Sequence, residues 1–212
     1  MSKIALIDYG AGNIQSVYNA LLKIKDDFGL DIHPVMTSDQ KDIAQSDAVI
    51  LPGVGSFKGC MDGILAKDGL KNALDTHILQ EKKPFLGICV GMQLLAEISY
   101  EHGEHRGLGY LPATVKAFTL DKDYKIPHMG WNKISVQTDH PILQNISTDD
   151  YMYFVHSFHM DVASDYIGAS CNYGYAFPAL VFKDNIVGVQ CHPEKSQKNG
   201  LMLLRNFVSW KI

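Results

Sequence analysis

The sequence predicts a single α/β domain over residues 1–212, built on a mixed central sheet with helices on both faces and a strand-rich C-terminal half. Three observations carry this. Short β-branched runs alternate with helical patterns over roughly the first hundred residues. From Gly107 to Cys191, aromatic and β-branched runs follow one another with few helical patterns between them. No repeat, low-complexity tract or linker divides the chain, and 212 residues suit one such domain.

The first unit is Ile4-Ala5-Leu6-Ile7, a strand, followed by Ile14, Val17, Tyr18, Leu21 and Leu22 at helical spacing. The second is Ala48-Val49-Ile50-Leu51, bounded by Pro52 and Gly53, with Leu70, Ala73, Leu74, His77 and Ile78 on one later helical face. The third is Pro84-Phe85-Leu86-Gly87-Ile88, feeding a helix through Met92-Gln93-Leu94-Leu95-Ala96. Right-handed crossovers between such strands place helices on both faces of a parallel sheet, which is why the strands are apolar throughout. Strands are then expected at Thr114–Phe118, Trp131–Val136, Tyr151–Phe158, Ile167–Asn172, Ala179–Phe182 and Ile186–Gln190, with Asp184-Asn185 as a hairpin turn between the last two. A closing helix runs from Gly200 to Ile212 through Leu201, Leu204, Phe207 and Val208. The architecture these elements imply is flavodoxin-like.

Composition excludes several classes. With 46% hydrophobic and 20% charged residues the chain can bury a core, which disordered and collagen-like sequences cannot. The 19 Lys and Arg against 23 Asp and Glu leave a net charge of −4 and no basic run, so no nucleic-acid partner is expected. Cys60, Cys89, Cys171 and Cys191 form no C-x-x-C pair, so a reducing cytoplasm is expected. The apolar run at Ile4 is too short for a signal peptide, and the stretch from Pro84 to Ala96, interrupted by Gln93, falls short of a membrane span. A soluble, unprocessed protein away from the membrane is expected.

Chemistry concentrates at Gly87-Ile88-Cys89-Val90-Gly91, where a buried strand turns into a helix. This is a Gly-x-nucleophile-x-Gly elbow with Cys in the Ser position. A nucleophile in so sharp a turn takes a strained backbone conformation, and side chains two residues either side would collide, so both places favour Gly. The following helix would aim its N-terminal N–H groups at the sulfur and favour thiolate. A thiolate nucleophile needs a base that later returns the proton, and the base needs an orienting acceptor. His192-Pro193-Glu194 supplies both, since residues i and i+2 of an extended stretch face one side. Oxyanion donors are expected from the backbone at Gly53 and Val54, in the turn Leu51-Pro52-Gly53-Val54-Gly55, and at Val90 after the nucleophile. Read alone, each segment has a plainer alternative: a buried Cys, a loop His, a Gly-rich turn.

Gly87-Ile88-Cys89-Val90-Gly91-Met92-Gln93-Leu94-Leu95 together with His192-Pro193-Glu194 resembles the class I (triad) glutamine amidotransferases. Four further segments narrow the resemblance to the glutaminase subunits of imidazole glycerol phosphate synthases: Asp8-Tyr9-Gly10-Ala11-Gly12-Asn13, Pro52-Gly53-Val54-Gly55, Pro127-His128-Met129-Gly130-Trp131-Asn132 and Tyr153-Phe154-Val155-His156-Ser157. It runs from end to end of the chain. It implies that Cys89 attacks the side-chain amide of L-glutamine, that His192 protonates the departing ammonia, and that Glu194 orients His192. It places Gly55, Gln93, Glu101, Ser157 and Phe158 around glutamine, with Glu101 at the α-ammonium. It implies a heterodimer with a (β/α)8 cyclase that uses the ammonia in histidine biosynthesis, with Asn13, Trp131, Tyr153 and Lys195 at or near the interface. No cofactor and no metal are implied.

A chain of this length leaves no room for a second activity that would use the ammonia, which also points to a partner. The residues themselves leave Gln93 and Glu101 open to a solvated helix face, and Trp131 and Tyr153 open to the core. Cys191 and Phe158 depart from the family's usual Phe and Tyr at those places. Other readings of the fold are a paralogous amidotransferase feeding a surface-sugar pathway, a stand-alone Cys hydrolase or stress protein, and a binding module without activity. His102-x-x-His105 and His156-x-x-His159 do not suggest a metal: the first lies in a polar loop without nearby thiols, and the second on a strand where i and i+3 face opposite sides.

Overall fold

The computed structural model describes residues 1–10 and 13–212. The parallel half runs β1 (Ser2–Ile7), α1 (Ile14–Phe28), β2 (Ile32–Thr37), α2 (Gln40–Ala44), β3 (Ala48–Gly53), α3 (Phe57–Ala66), α4 (Leu70–Asp75), β4 (Phe85–Cys89) and α5 (Val90–Gln93). The second half holds β5 (Ile98–Ser99), β6 (His105–Arg106), β7 (Ala113–Ala117), β8 (His128–Val136), β9 (Tyr151–His156), β10 (Phe158–Val162), β11 (Ile167–Tyr173), β12 (Tyr175–Lys183), β13 (Ile186–Val189) and α6 (Gln197–Ser209).

Nine strands form the main sheet in the order β2-β1-β3-β4-β13-β12-β11-β8-β9. From β2 to β13 the pairing is parallel, and from β13 to β9 antiparallel. The mixed α/β architecture is therefore as the sequence predicts. The centre is buried throughout: every residue of β3, β4 and β13 is shielded from solvent, as their continuous apolar runs require. Asp184 takes φ 50 in the turn joining β12 to β13, so the hairpin forms without a glycine.

Several elements differ from expectation. The run Tyr151–Phe158 is broken at Ser157, so β9 ends the large sheet while β10 enters a second sheet, ordered β10-β7-β5-β6. The helix expected through Ala96 is the single turn α5. α4 runs on into a π-helical stretch, Thr76–Gln80, which carries His77 and Ile78 as expected but in a wider coil. β2, α2, α3 and the two-residue strands β5 and β6 have no counterpart in the sequence pattern. β2 carries Pro34, tolerable because β2 is the sheet's edge. α2 is capped by the Asp39 side chain accepting from the Lys41 N–H, and α3 by the Ser56 hydroxyl accepting from the Gly59 N–H.

This topology positions the site. β3, β4 and β13 are parallel neighbours, so their carboxyl ends meet at one edge of the sheet. Gly53 pairs with Cys89 in register, and β13 delivers Gln190, Cys191 and His192 beside them. Crevices at the carboxyl ends of the strands are where open α/β sheets place their ligands.

Candidate active site

Cys89 ends β4 with φ 54 and ψ −110, a conformation that L side chains rarely adopt. The glycines around it make the turn possible. A Cβ on Gly87 would strike the Gly91 carbonyl, and one on Gly91 would strike the carbonyl oxygen of Leu51 on β3. The second glycine thus answers to the neighbouring strand as much as to the first. Gly53 is crowded in the same way by Val90 and the Gly91 N–H. The Cys89 sulfur is buried, 3.9 Å from the Val155 carbonyl and 3.8 Å from Nε2 of Gln190.

His192 opens a short 3₁₀ turn, Pro193–Lys195, and its Nδ1 lies 2.8 Å from Oε1 of Glu194. Both side chains are buried. Burial alone would lower the imidazole's pKa, but hydrogen bonding and charge from Cys89 and Glu194 outweigh it and raise it to about 9. Nε2 of His192 has no well-aligned hydrogen-bond partner, although the sulfur is near enough to act on its charge. His192 is stitched to strand β9: its N–H donates to the Tyr153 carbonyl at 2.9 Å, and the Ser196 hydroxyl accepts from the Tyr153 N–H while donating to the His192 carbonyl.

Cys89 and His192 share a cavity of about 690 Å³ with Asn13, Val54, Gly55, Val90, Gln93, Glu101, Ser157, Phe158 and Lys195. Gly53 and Glu194 lie behind its wall. Gly55 takes φ +95, open to glycine and strained for other residues. Val54 is partly exposed in the same turn. Gln93 is buried, so it is no solvated face; its Nε2 donates to the Phe158 carbonyl and to Oε1 of Gln190. Glu101 sits in the turn after β5, where its Oε2 accepts from the Phe57 N–H at 2.6 Å. Trp131 and Tyr153 pair across β8 and β9, with ring centroids 5.9 Å apart, and the Lys195 Nζ lies 5.9 Å from the Tyr153 ring. Trp131 is 46% exposed, so it is a surface residue. Asn13 precedes α1, its Oδ1 accepting from the Ser16 hydroxyl; Ala11 and Gly12 of that motif lie outside the described residues.

The profile of the family "glutamine amidotransferase class-I" matches residues 5–210. The chain belongs to the class-I glutamine amidotransferase family. This amidotransferase is similar to the imidazole glycerol phosphate synthase subunit HisH of Rhodospirillum rubrum, with 45% identity over 211 residues that cover 98% of this chain and 99% of that protein. It is 44% identical over 205 residues to the subunit HisH 1 of Campylobacter jejuni, covering 97% of this chain and 98% of that one. In fold it resembles the crystal structure of a glutamine amidotransferase with a TM-score of 0.71 at 16% identity, over 97% of each chain.

Sequence reading of the amidotransferase missed residues that only the fold gathers. Tyr9 donates its hydroxyl to the Pro52 carbonyl at 2.7 Å, and Cys60 its thiol to the Val54 carbonyl at 3.4 Å, so the two hold the carbonyls of the residues either side of Gly53. Burial raises the pKa of both groups, keeping them protonated donors. His102, Pro127, Val155 and His156 also line the cavity. His156 and His159, expected on opposite faces, both pack against the Phe118 ring, with centroids 5.2 and 4.7 Å away. The break at Ser157 turns the chain between them. All four cysteines are free and buried. Among the described residues no helix is long and apolar enough to cross a membrane.

Proposed function

We propose that the chain, acting as one domain over residues 1–212, is the glutaminase subunit of imidazole glycerol phosphate synthase in histidine biosynthesis. Its substrate is L-glutamine and its site is the Cys89 cavity. The observation that carries this is the opening of Cys89 and His192 into one cavity, with Glu194 buried behind the imidazole. The Cys89 proton passes to His192, and the sulfur attacks the side-chain amide carbon. Val54 and Val90 offer backbone N–H groups to the oxyanion, in the turn beside Gly53. His192, held as imidazolium, gives its proton to the departing ammonia, leaving a γ-glutamyl thioester on Cys89. Water, deprotonated by the same imidazole, releases glutamate and restores the thiol.

A cavity of about 690 Å³ exceeds what glutamine needs. Gly55, Gln93, Ser157 and Phe158 would hold the substrate, and Glu101 its α-ammonium. The partner that takes the ammonia is a (β/α)8 cyclase, docked on Asn13 and Lys195, which line the cavity, and on Tyr153 and Trp131 beside Lys195, in a heterodimer of the cytoplasm. Free ammonia is protonated in water and would be lost as a nucleophile, so the donor and acceptor sites should be enclosed together.

Two measurements test this. Glutamate release by the purified chain should rise when the cyclase and its nucleotide are added and vanish in Cys89→Ala. The gene should also restore growth without histidine to a bacterium lacking its own glutaminase subunit. Hydrolysis that survives Cys89→Ala overturns the nucleophile. Growth that is not restored by an active chain overturns the pathway and favours a surface-sugar paralogue.

A further inference from the structure

Gln190 takes no part in the steps above, yet it is fully buried against the reacting atom. It follows β13 directly, where its backbone N–H donates to the Ala179 carbonyl at 2.9 Å and holds it as an extension of the sheet. Its Nε2 lies 3.8 Å from the Cys89 sulfur. A carboxamide can be placed either way round, and here the neighbours decide. Gln93 reaches the Phe158 carbonyl at 3.0 Å, an acceptor only, so Gln93 must present its NH₂ group there. The same NH₂ lies 3.1 Å from the Gln190 side chain, which must therefore turn its oxygen to Gln93 and its own NH₂ to the sulfur.

Apart from the neighbouring His192 imidazolium, the sulfur has little to favour its charge. α5 is a single turn, so the helix dipole expected there is small. The Val155 carbonyl, 3.9 Å away, accepts and so favours the protonated thiol. Among the described residues, Gln190 supplies the one well-formed side-chain hydrogen bond donated to this sulfur. A donor aimed at an ionised group is worth more than one aimed at a neutral group, so the contact strengthens as the proton leaves.

We propose that Gln190 is a further catalytic residue, donating a hydrogen bond from Nε2 to the Cys89 thiolate, and that Gln93 is the positioning residue that fixes the direction of that amide. The inference rests on Cys89 being the nucleophile. It gives Gln93 a task besides holding substrate, since both hydrogens of its NH₂ are committed to protein acceptors.

The test follows alkylation of Cys89 by iodoacetamide against pH, with the modified site read by peptide mass spectrometry. It needs no glutamine. Gln190→Met keeps the volume and removes the donor; Gln190→Glu keeps the shape and turns oxygens to the sulfur. The alkylation curve should move up by about one pH unit in the first, a tenfold change in the thiol–thiolate equilibrium, and further in the second. Gln93→Met should give a smaller upward move. In the glutaminase assay kcat of Gln190→Met should fall about tenfold with KM held, whereas a packing defect would move both. Curves that coincide with wild type in both Gln190 variants, with melting and partner binding preserved, overturn the proposal. Should both variants fail to fold, the Gln190 side-chain amide signal in wild-type NMR takes over. It should titrate with Cys89 and lose that response in Cys89→Ala; a response equal in both chains overturns the assignment. A wild type that leaves glutamine intact overturns the glutaminase reading alone, because the alkylation curves still decide the contact.

Discussion

Nδ1 of His192 lies 2.8 Å from Oε1 of Glu194, and this contact orients the imidazole and, together with Cys89, sets its charge. Against burial, Glu194 and Cys89 lift the imidazole to about 9, above the ordinary value of about 6.5 in an unfolded chain. A group with a raised folded pKa adds stability that is complete below its unfolded pKa and is lost as pH rises through the folded one. The denaturation midpoint should therefore fall between about pH 6.5 and 9, and fall less in Glu194→Gln, which keeps an acceptor without the charge. Equal falls would contradict the coupling. The same variant should lose about 10²- to 10⁴-fold in kcat for glutamine.

The opposite slope is expected in acid. Nδ1 of His128 lies 3.0 Å from Nε2 of His156, and burial lowers the two pKa values to about 4 and about 3. Here the folded values lie below the unfolded one, so the stability is present above about pH 6.5 and is lost as pH falls through the folded values. His128→Gln should flatten the decline in urea midpoint between about pH 7 and 4. A decline as steep as in wild type would remove this pair as its source.

Gly91→Ala tests the packing of the elbow on β3. The added methyl would be driven into the Leu51 carbonyl, a rigid neighbour inside the sheet. A loss of about 2–4 kcal/mol in urea denaturation is expected, with glutaminase activity lost beside it. A change under about 0.5 kcal/mol would show that the elbow yields.

Strain at Cys89 makes a separate prediction. At φ 54 and ψ −110 an alanine keeps the unfavourable backbone and a glycine does not. Cys89→Gly should be about 1–2 kcal/mol more stable than Cys89→Ala, and neither should hydrolyse glutamine. Equal stability would mean that the strand-to-helix turn stores no strain.

Trp131 is half exposed and stacked edge-on to Tyr153, whose carbonyl receives the His192 N–H. Trp131→Ala should weaken binding of the partner subunit of the synthase by about 10- to 100-fold in calorimetry and leave thermal stability close to wild type. Unchanged affinity would move the interface elsewhere.

Much of this protein was legible before any tertiary contact was known. Apolar runs at Ile4, Ala48 and Phe85 announce buried strands because a strand covered on both faces has no polar alternate, and that demand is local. The Gly87 and Gly91 spacing announces the elbow, although the closest neighbour that requires Gly91 is the Leu51 carbonyl on β3. What lay outside the reach of pattern depends on partners distant in sequence. β2 hides behind Pro34, acceptable only because the strand is an edge. The break at Ser157 that brings His156 and His159 to one ring has no mark in a run that reads as one strand. Gln190 looks like an ordinary polar residue until β13 is laid beside β4, which buries its amide with that of Gln93 and turns it to the Cys89 sulfur. Periodicity records which face of an element is buried; which strands lie side by side is settled by crossovers and long-range pairing, and there the chemistry of the site was decided.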